Sequence, residues 1–165
     1  MKTVLFVCTG NTCRSPMAEA IFNDMLDEYP RLRELGYEAA SAGTYAMEGA
    51  PINEMAEEAL EHLGIEMDHK HKARGFSEEI GEEADLILGV SEMIVEEILA
   101  LAPAVEDNAH ILKAYAQGID GLVGSDQYDI EDPYREPLQV YIECAKEIQK
   151  NIELIMKRLE KENQA

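Results

Sequence analysis

Tryptophan is absent from this 165-residue chain and phenylalanine occurs only three times, so the core has to be filled by aliphatic side chains and methionine rather than by stacked aromatic rings. Cysteine is scarce too. Three thiols with no even, dense spacing exclude a disulfide framework and fit a reducing compartment. No apolar run approaches the roughly 20 residues of a membrane span. The five apolar residues between Thr3 and Thr9 are too few for a secretory signal, which makes the cytoplasm the expected location and gives no reason to expect a membrane partner. Basic residues are the most notable shortage, 14 against 34 acidic ones for a net charge of −20. Such a surface does not neutralise nucleic-acid phosphates, so nucleic acid is excluded as a partner. The acidic excess itself reads as a solubility or ionic-habitat feature. Repeats, low-complexity tracts and linkers are also missing, so residues 1–165 read as one domain, with a monomer as the default.

What is present is a short loop with chemistry at both ends. Cys8-Thr9-Gly10-Asn11-Thr12-Cys13-Arg14-Ser15 leaves the apolar run Val4-Leu5-Phe6-Val7 and enters Pro16-Met17-Ala18. That is strand, tight loop and helix, with a thiol at the strand end and a guanidinium at the helix start. A loop closing in this way turns successive N–H groups inward, and the helix N-terminus adds partial positive charge, a nest suited to one phosphate-like oxyanion. A thiol in that field is favoured as the thiolate nucleophile. Gly10 permits a positive φ where the backbone bends, and Asn11 tolerates the left-handed region. Ser15-Pro16 reads as a helix start, Ser capping and Pro at the first helical position. The spacing of Cys8 and Arg14 alone is weak; a buried core thiol and a surface arginine would account for the two residues but not for the rest of the loop.

The remaining pattern alternates strands with helices. Strands are expected at Lys2–Cys8, Tyr37–Ser41, Ala84–Val90 and His110–Leu112. Helices are expected from about Pro16 to Tyr29, from Asn53 to Leu63 with Gly64 as the stop, briefly at Ser77–Gly81, from the Ser91 cap to Leu101, and from Leu138 to about Glu162. The last helix carries an apolar stripe at Val140, Tyr141, Cys144, Ala145, Ile148, Ile152, Ile155, Met156 and Leu159. The fold class is therefore α/β: a doubly wound, four-stranded parallel sheet with helices on both faces, in flavodoxin-like order. Ligands of such sheets sit at strand carboxyl ends where the winding reverses, and Cys8 ends the first strand.

Residues 118–137 form a long loop, and loops of that length are commonly functional. Within it, Asp132-Pro133 biases Asp132 toward extended backbone, able to present a carboxyl group to the crevice. Phosphoryl transfer to Cys8 needs a proton on the departing atom, worth ~100- to 10,000-fold from a positioned acid. Asp-Pro as a plain turn before the last helix is the alternative.

Taken together, Val7–Met17, Ser41-Ala42-Gly43-Thr44, His71-Lys72-Ala73-Arg74 and Asp132-Pro133-Tyr134 resemble, in order and nearly end to end, the low-molecular-weight protein-tyrosine-phosphatase family. The resemblance implies Cys8 as nucleophile, Arg14 as the ligand of the phosphoryl oxygens, Asp132 as general acid, and a supporting network at Asn11, Ser15, Ser41 and His71. It also implies phosphorylated proteins as substrates and no cofactor. Cys13 has two readings: loop-end packing, or, as in the family, a thiol that pairs with Cys8 on oxidation. Cys144 reads as core. His69 and His71 would point the same way on an extended segment, but no third ligand is spaced near them in sequence, so no metal is expected.

Tyrosine-specific members carry Ile or Leu where Thr12 stands; a bacterial branch resembling this chain carries Thr and acts on phosphoarginine in proteins. A polar wall suits a guanidinium and discriminates more sharply than methylenes. Two further departures point the same way: Gly89-Val90-Ser91-Glu92 lacks the acidic residue common after that strand, and Asp-Pro is followed by a single Tyr. Arg135-Glu136 points the other way, because the arginine branch often has glycines there. Tyr45 and Tyr134 are the expected pocket walls, able to stack on a ring or on a guanidinium. Phosphotyrosine is the alternative substrate. Arsenate reduction is remote: its relay needs two more downstream cysteines and only Cys144 follows the loop.

Overall fold

The computed structural model describes residues 2–164. β1 (Lys2–Cys8) leads through the loop into α1 (Arg14–Met25), a 3-10 turn, α2 (Pro30–Glu34) and β2 (Tyr37–Gly43). Then come α3 (Glu54–His62), α4 (Glu78–Glu83), β3 (Leu86–Gly89), α5 (Glu92–Leu101), a second 3-10 stretch, β4 (Ala109–Ile111), α6 (Leu112–Ala116) and α7 (Leu138–Glu162).

All three strand pairings are parallel and the order is β2-β1-β3-β4, the doubly wound arrangement anticipated from the sequence. From β1 the chain steps one way to β2, then back past β1 to β3 and on to β4. Right-handed crossovers in opposite directions place helices on opposite faces. α1 packs against α7, with α3 against both, while α5 covers β3 and β4. A strand covered on both faces has no reason to alternate, and Val4 through Cys8 are all buried. The winding reverses at β1, so its carboxyl end opens into the crevice.

Several expected bounds shift, each for a local reason. α1 starts at Arg14 with Cys13 at its N-cap, so Ser15 does not cap and Pro16 is the third helical residue. It ends at Met25 because Leu26–Glu28 tighten into a 3-10 turn. β2 continues to Gly43, since Cys8 pairs with Gly43 in the β1–β2 register. β3 is shorter than expected: Ala84 closes α4, and Val90 leaves the ladder, its carbonyl accepting Ile130 N–H at 2.9 Å. β4 stops at Ile111 because Leu112 begins α6. α2 and α6, five residues each, are too short to show a helical period. α3 and α5 start as expected, with the Asn53 and Ser91 side chains accepting N–H groups of their first turns. On α7 the anticipated stripe is buried except at Val140, which is half-buried.

Candidate active site

β1 delivers Cys8 to the crevice, 3% exposed, and the next seven residues wrap around its sulfur. The loop's carbonyls are drawn outward. Cys8 O accepts Thr44 N–H at 3.0 Å, Thr9 O accepts Tyr45 N–H at 2.9 Å, and Thr12 O accepts Asn53 N–H at 2.9 Å. With its carbonyls occupied outside, the loop turns amides toward its centre; Asn11 N–H points at Cys8 Sγ from 3.3 Å.

The bend falls on Asn11, at φ 56°, whereas Gly10 stays outside the left-handed region and has room for a Cβ. A left-handed asparagine costs of order 1 kcal/mol. Its side chain offsets that cost: Nδ2 donates to Ser15 Oγ (2.8 Å) and Ser41 Oγ (2.9 Å), and Oδ1 accepts Arg74 N–H (2.9 Å). Because Asn11 carbonyl is only an acceptor, His71 must donate to it through Nε2, at 2.7 Å. Ser41 hydroxyl donates to the buried Glu19 carboxylate at 2.6 Å. Ser15 Oγ, already accepting from Asn11, lies 2.9 Å from Cys8 Sγ and 3.4 Å from Ala42 O, so its proton is nearest the sulfur. The four expected network positions are thus brought together around Cys8, with Ser15 as a donor to sulfur rather than a helix cap.

Gly43 makes this closeness possible. A Cβ there would sit 2.5 Å from Thr9 O and 2.9 Å from Asn11 N, both backbone atoms that cannot yield.

Arg14 is buried, with Nη1 donating to Ile130 O at 2.8 Å and Nη2 3.6 Å from Asp132 Oδ2. Asp132 is half exposed, and its other oxygen accepts Tyr134 N–H at 3.0 Å, a local Asx turn. A cleft of about 370 Å³ lies between the loops, lined by Cys8, Thr9, Gly10, Thr12, Cys13 and Arg14 below and by Tyr45, Met47, Ala50, Asp132 and Tyr134 around. Arg14 is the one cation in that lining, so on a chain of net charge −20 the attraction for an anion is local. Cys13 and Cys144 are free, buried thiols outside the network. Burial pushes Cys13 up from its ordinary value, against a lowering contact with Thr12, and pushes Cys144 up to about 12.

Sequence reasoning missed several participants. Glu19 and Arg74 complete the network, and Met47 supplies an exposed apolar wall. Glu92 is buried at the start of α5, and its carboxylate accepts Val123 N–H and Gly124 N–H at 3.1 and 3.0 Å. Asp129 Oδ1 in turn accepts Glu92 N–H at 2.9 Å, tying the Asp132 loop to α5. The signal for Glu19 was a single acid set among Met17, Ala18, Ala20 and Ile21; Arg74 closes the His71–Arg74 stretch that resembles the family, which says nothing of its contacts with Asn11 and Ser41. Glu19 of α1 brings a carboxylate oxygen within 4.8 Å of the ring nitrogens of His69 and His71, a neighbour that spacing in sequence does not reveal.

A buried thiol in an amide nest, with one arginine beneath and one carboxylate across the cleft, defines a cysteine-based phosphatase. Residues 3–165 match the model of the low molecular weight phosphotyrosine protein phosphatase family. The chain is 33% identical to a protein-arginine-phosphatase of Geobacillus stearothermophilus over 159 residues, covering 96% of this chain and 97% of that one. It is 32% identical, with the same coverage, to the probable low molecular weight protein-tyrosine-phosphatase EpsP of Ralstonia nicotianae. The solved YwlE arginine phosphatase of Geobacillus stearothermophilus superposes with a TM-score of 0.82 at 33% identity, covering 98% of this chain and 95% of that one. A cysteine-to-serine form of YwlE arginine phosphatase with a phosphorylated active-site serine superposes at 0.84 and 30% identity, covering 98% and 97%. The chain belongs to the low molecular weight phosphotyrosine protein phosphatase family. As a member it is a cysteine-dependent protein phosphatase, a hydrolase of phosphorylated proteins.

Proposed function

We propose that this chain removes phosphate from phosphoarginine residues of proteins through a phosphocysteine at Cys8. The phosphoryl oxygens bind the loop amides and Arg14. Cys8 sulfur attacks phosphorus, the P–N bond breaks, and Asp132 gives its proton to the departing guanidine nitrogen. Water then attacks phosphorus, Asp132 takes the water's proton, and the S–P bond breaks while Ser15 hydroxyl stabilises the released thiolate. The amides and Arg14 meet the charge developing on the equatorial oxygens at no further cost in reorganisation. The phosphorylated serine found in a relative's cysteine-to-serine form supports the attacking position.

The observation that carries the substrate preference is Thr12, a polar side chain on the cleft wall where tyrosine-type members place an aliphatic one. A polar wall rejects a leaving group that cannot pair with it, by more than an aliphatic wall rejects a polar one. The Geobacillus relative bears the arginine-phosphatase name. Phosphotyrosine is the second reading, favoured by the Arg135 guanidinium 5.3 Å over the Tyr134 ring and by the exposed Tyr45, a rim on which an aromatic ring stacks. Steady-state rates on matched phosphoarginine and phosphotyrosine peptides test the choice: the native chain prefers phosphoarginine, and Thr12→Ile moves the ratio at least about tenfold toward phosphotyrosine. An unmoved ratio removes Thr12 as selector.

A further inference from the structure

Behind the Cys8 loop, on the side away from the cleft, a groove is lined by Glu19, Asp68, His69 and His71. We propose that Glu19, His69 and His71 form a site for a divalent transition metal of the zinc class, coupled to the Cys8 loop.

One ligand atom from each residue lies within 4.8 Å of the others. Glu19 Oε2 and His69 Nε2 are 3.3 Å apart. A tetrahedral zinc with bonds of about 2.0–2.2 Å sets neighbouring ligand atoms ~3.3–3.6 Å apart, the separation Glu19 and His69 already have. The His71 ring spends its Nε2 proton on Asn11 carbonyl, which leaves the Nδ1 lone pair for the ion. Two imidazoles and one carboxylate form a ligand set suited to zinc, with a fourth position open toward the half-exposed side of His69.

A ring of outer partners holds the three side chains. Asp68 Oδ1 sits 2.7 Å from His69 Nδ1 and holds that ring with Nε2 facing Glu19. Asn11 carbonyl holds His71, and Ser41 hydroxyl holds Glu19 through its other oxygen at 2.6 Å. Each ligand therefore has the orienting contact that metal ligands characteristically have. A surface ion pair needs none of this. Lys70, Lys72 and Arg74 also line the groove and oppose a cation, but Glu38 and Asp68 line it as well, and Arg74 Nε donates to Ser41 carbonyl at 3.0 Å.

The placement gives the site a consequence. Two of its ligands hold Asn11 and Ser41 with their remaining atoms; Ser41 in turn accepts from Asn11, and Asn11 holds Ser15 and Cys8. Occupancy stiffens the loop from behind without touching the sulfur.

The test is a zinc chloride titration of Cys8→Ser/Cys13→Ser protein, which removes the loop thiols as competing ligands, read by competition with a chromophoric chelator. Because this protein does not turn over, the result is independent of the substrate reading. One zinc per chain is expected, with a rise of a few degrees in melting midpoint. His69→Ala weakens binding more than about 100-fold and Asp68→Asn about 10- to 100-fold, as loss of an outer partner does, whereas His62→Ala on α3 changes nothing. The bound zinc shows only nitrogen and oxygen neighbours by X-ray absorption. Failure to bind one equivalent, undiminished binding in His69→Ala, or a sulfur neighbour each overturns the site. His69 is half exposed, so His69→Ala should keep the parent's metal-free melting point; if it does not, Asp68→Asn decides.

Discussion

The Cys8 loop and the Asp132 loop face each other across 3.6 Å, from Arg14 to Asp132, yet they are secured in opposite ways. Around Cys8 nearly every polar atom of the buried network has a partner inside the protein, and the strained backbone at Asn11 is held by four neighbours. Asp132 is half exposed, held by one local turn, and followed by a second left-handed residue, Arg135 at φ 69°, with no comparable support. Under the proposed mechanism the first half holds the oxyanion and the second carries the group that serves as acid and then as base, a division of labour that this contrast suits.

The largest effect that tests this contrast is on rate. Asp132→Ala should lower turnover about 100- to 10,000-fold on a substrate with a poor leaving group, with folding stability changed by no more than about 0.5 kcal/mol. A paired loss of stability in a urea titration would show that the acid loop is as integral as the thiol loop. Asn11→Ala is the converse experiment. It leaves Ser15, Ser41 and Arg74 N–H without their partner and keeps the left-handed backbone, so urea unfolding should report a loss of about 1–3 kcal/mol together with a fall in rate.

Next comes pH. Burial, with the Cys13 thiol beside it, raises Tyr141 to about 12 in the fold from 10.0. A buried phenol raised in this way stabilises the neutral form. Its contribution is complete below about pH 10 and is lost as pH climbs toward about 12. Tyr141→Phe should therefore flatten the decline in stability measured across that interval, and Tyr115, also raised to about 12 by burial, accounts for part of what remains. The smallest effect is Arg135→Gly, which relieves the left-handed strain and loses the stacking on Tyr134. It should shift stability by no more than about 1 kcal/mol, toward the more stable side, in thermal melts.

The same contrast separates what was legible in the sequence from what was not. β1, the loop and α1 follow from contiguous residues, because an apolar run, a polar octet and Pro16 carry their own local physics. So does α7, whose stripe runs for 25 residues. Cys8, Arg14 and Asp132 could be picked out as candidates because the chemistry restricts the residue types, and the fold brings the three to one cleft. Glu19 and Glu92 could not, since a buried carboxylate looks like any surface acid until its donors, from Ser41 and from Val123 and Gly124, are folded onto it. The Ser15 cap was misread for a related reason. A serine before proline has two uses, and only the position of a thiol seven residues earlier decides between them.

The tethers of residues 118–137 are discrete: Arg158 on Asp120, His110 Nδ1 on Gly121 N–H, the Glu92 carboxylate on Val123 and Gly124 N–H, Asp129 on α5, Ile130 bonded to both Val90 and Arg14, Cys144 on Glu131 carbonyl, and Arg14 beside Asp132. A stretch fastened to its scaffold at discrete points behaves like an exchangeable cassette. Transplanting the equivalent stretch from a relative, with those anchors kept, would swap the roof over the thiol while the floor stays in place, so leaving-group preference could drift among such proteins faster than their shared chemistry.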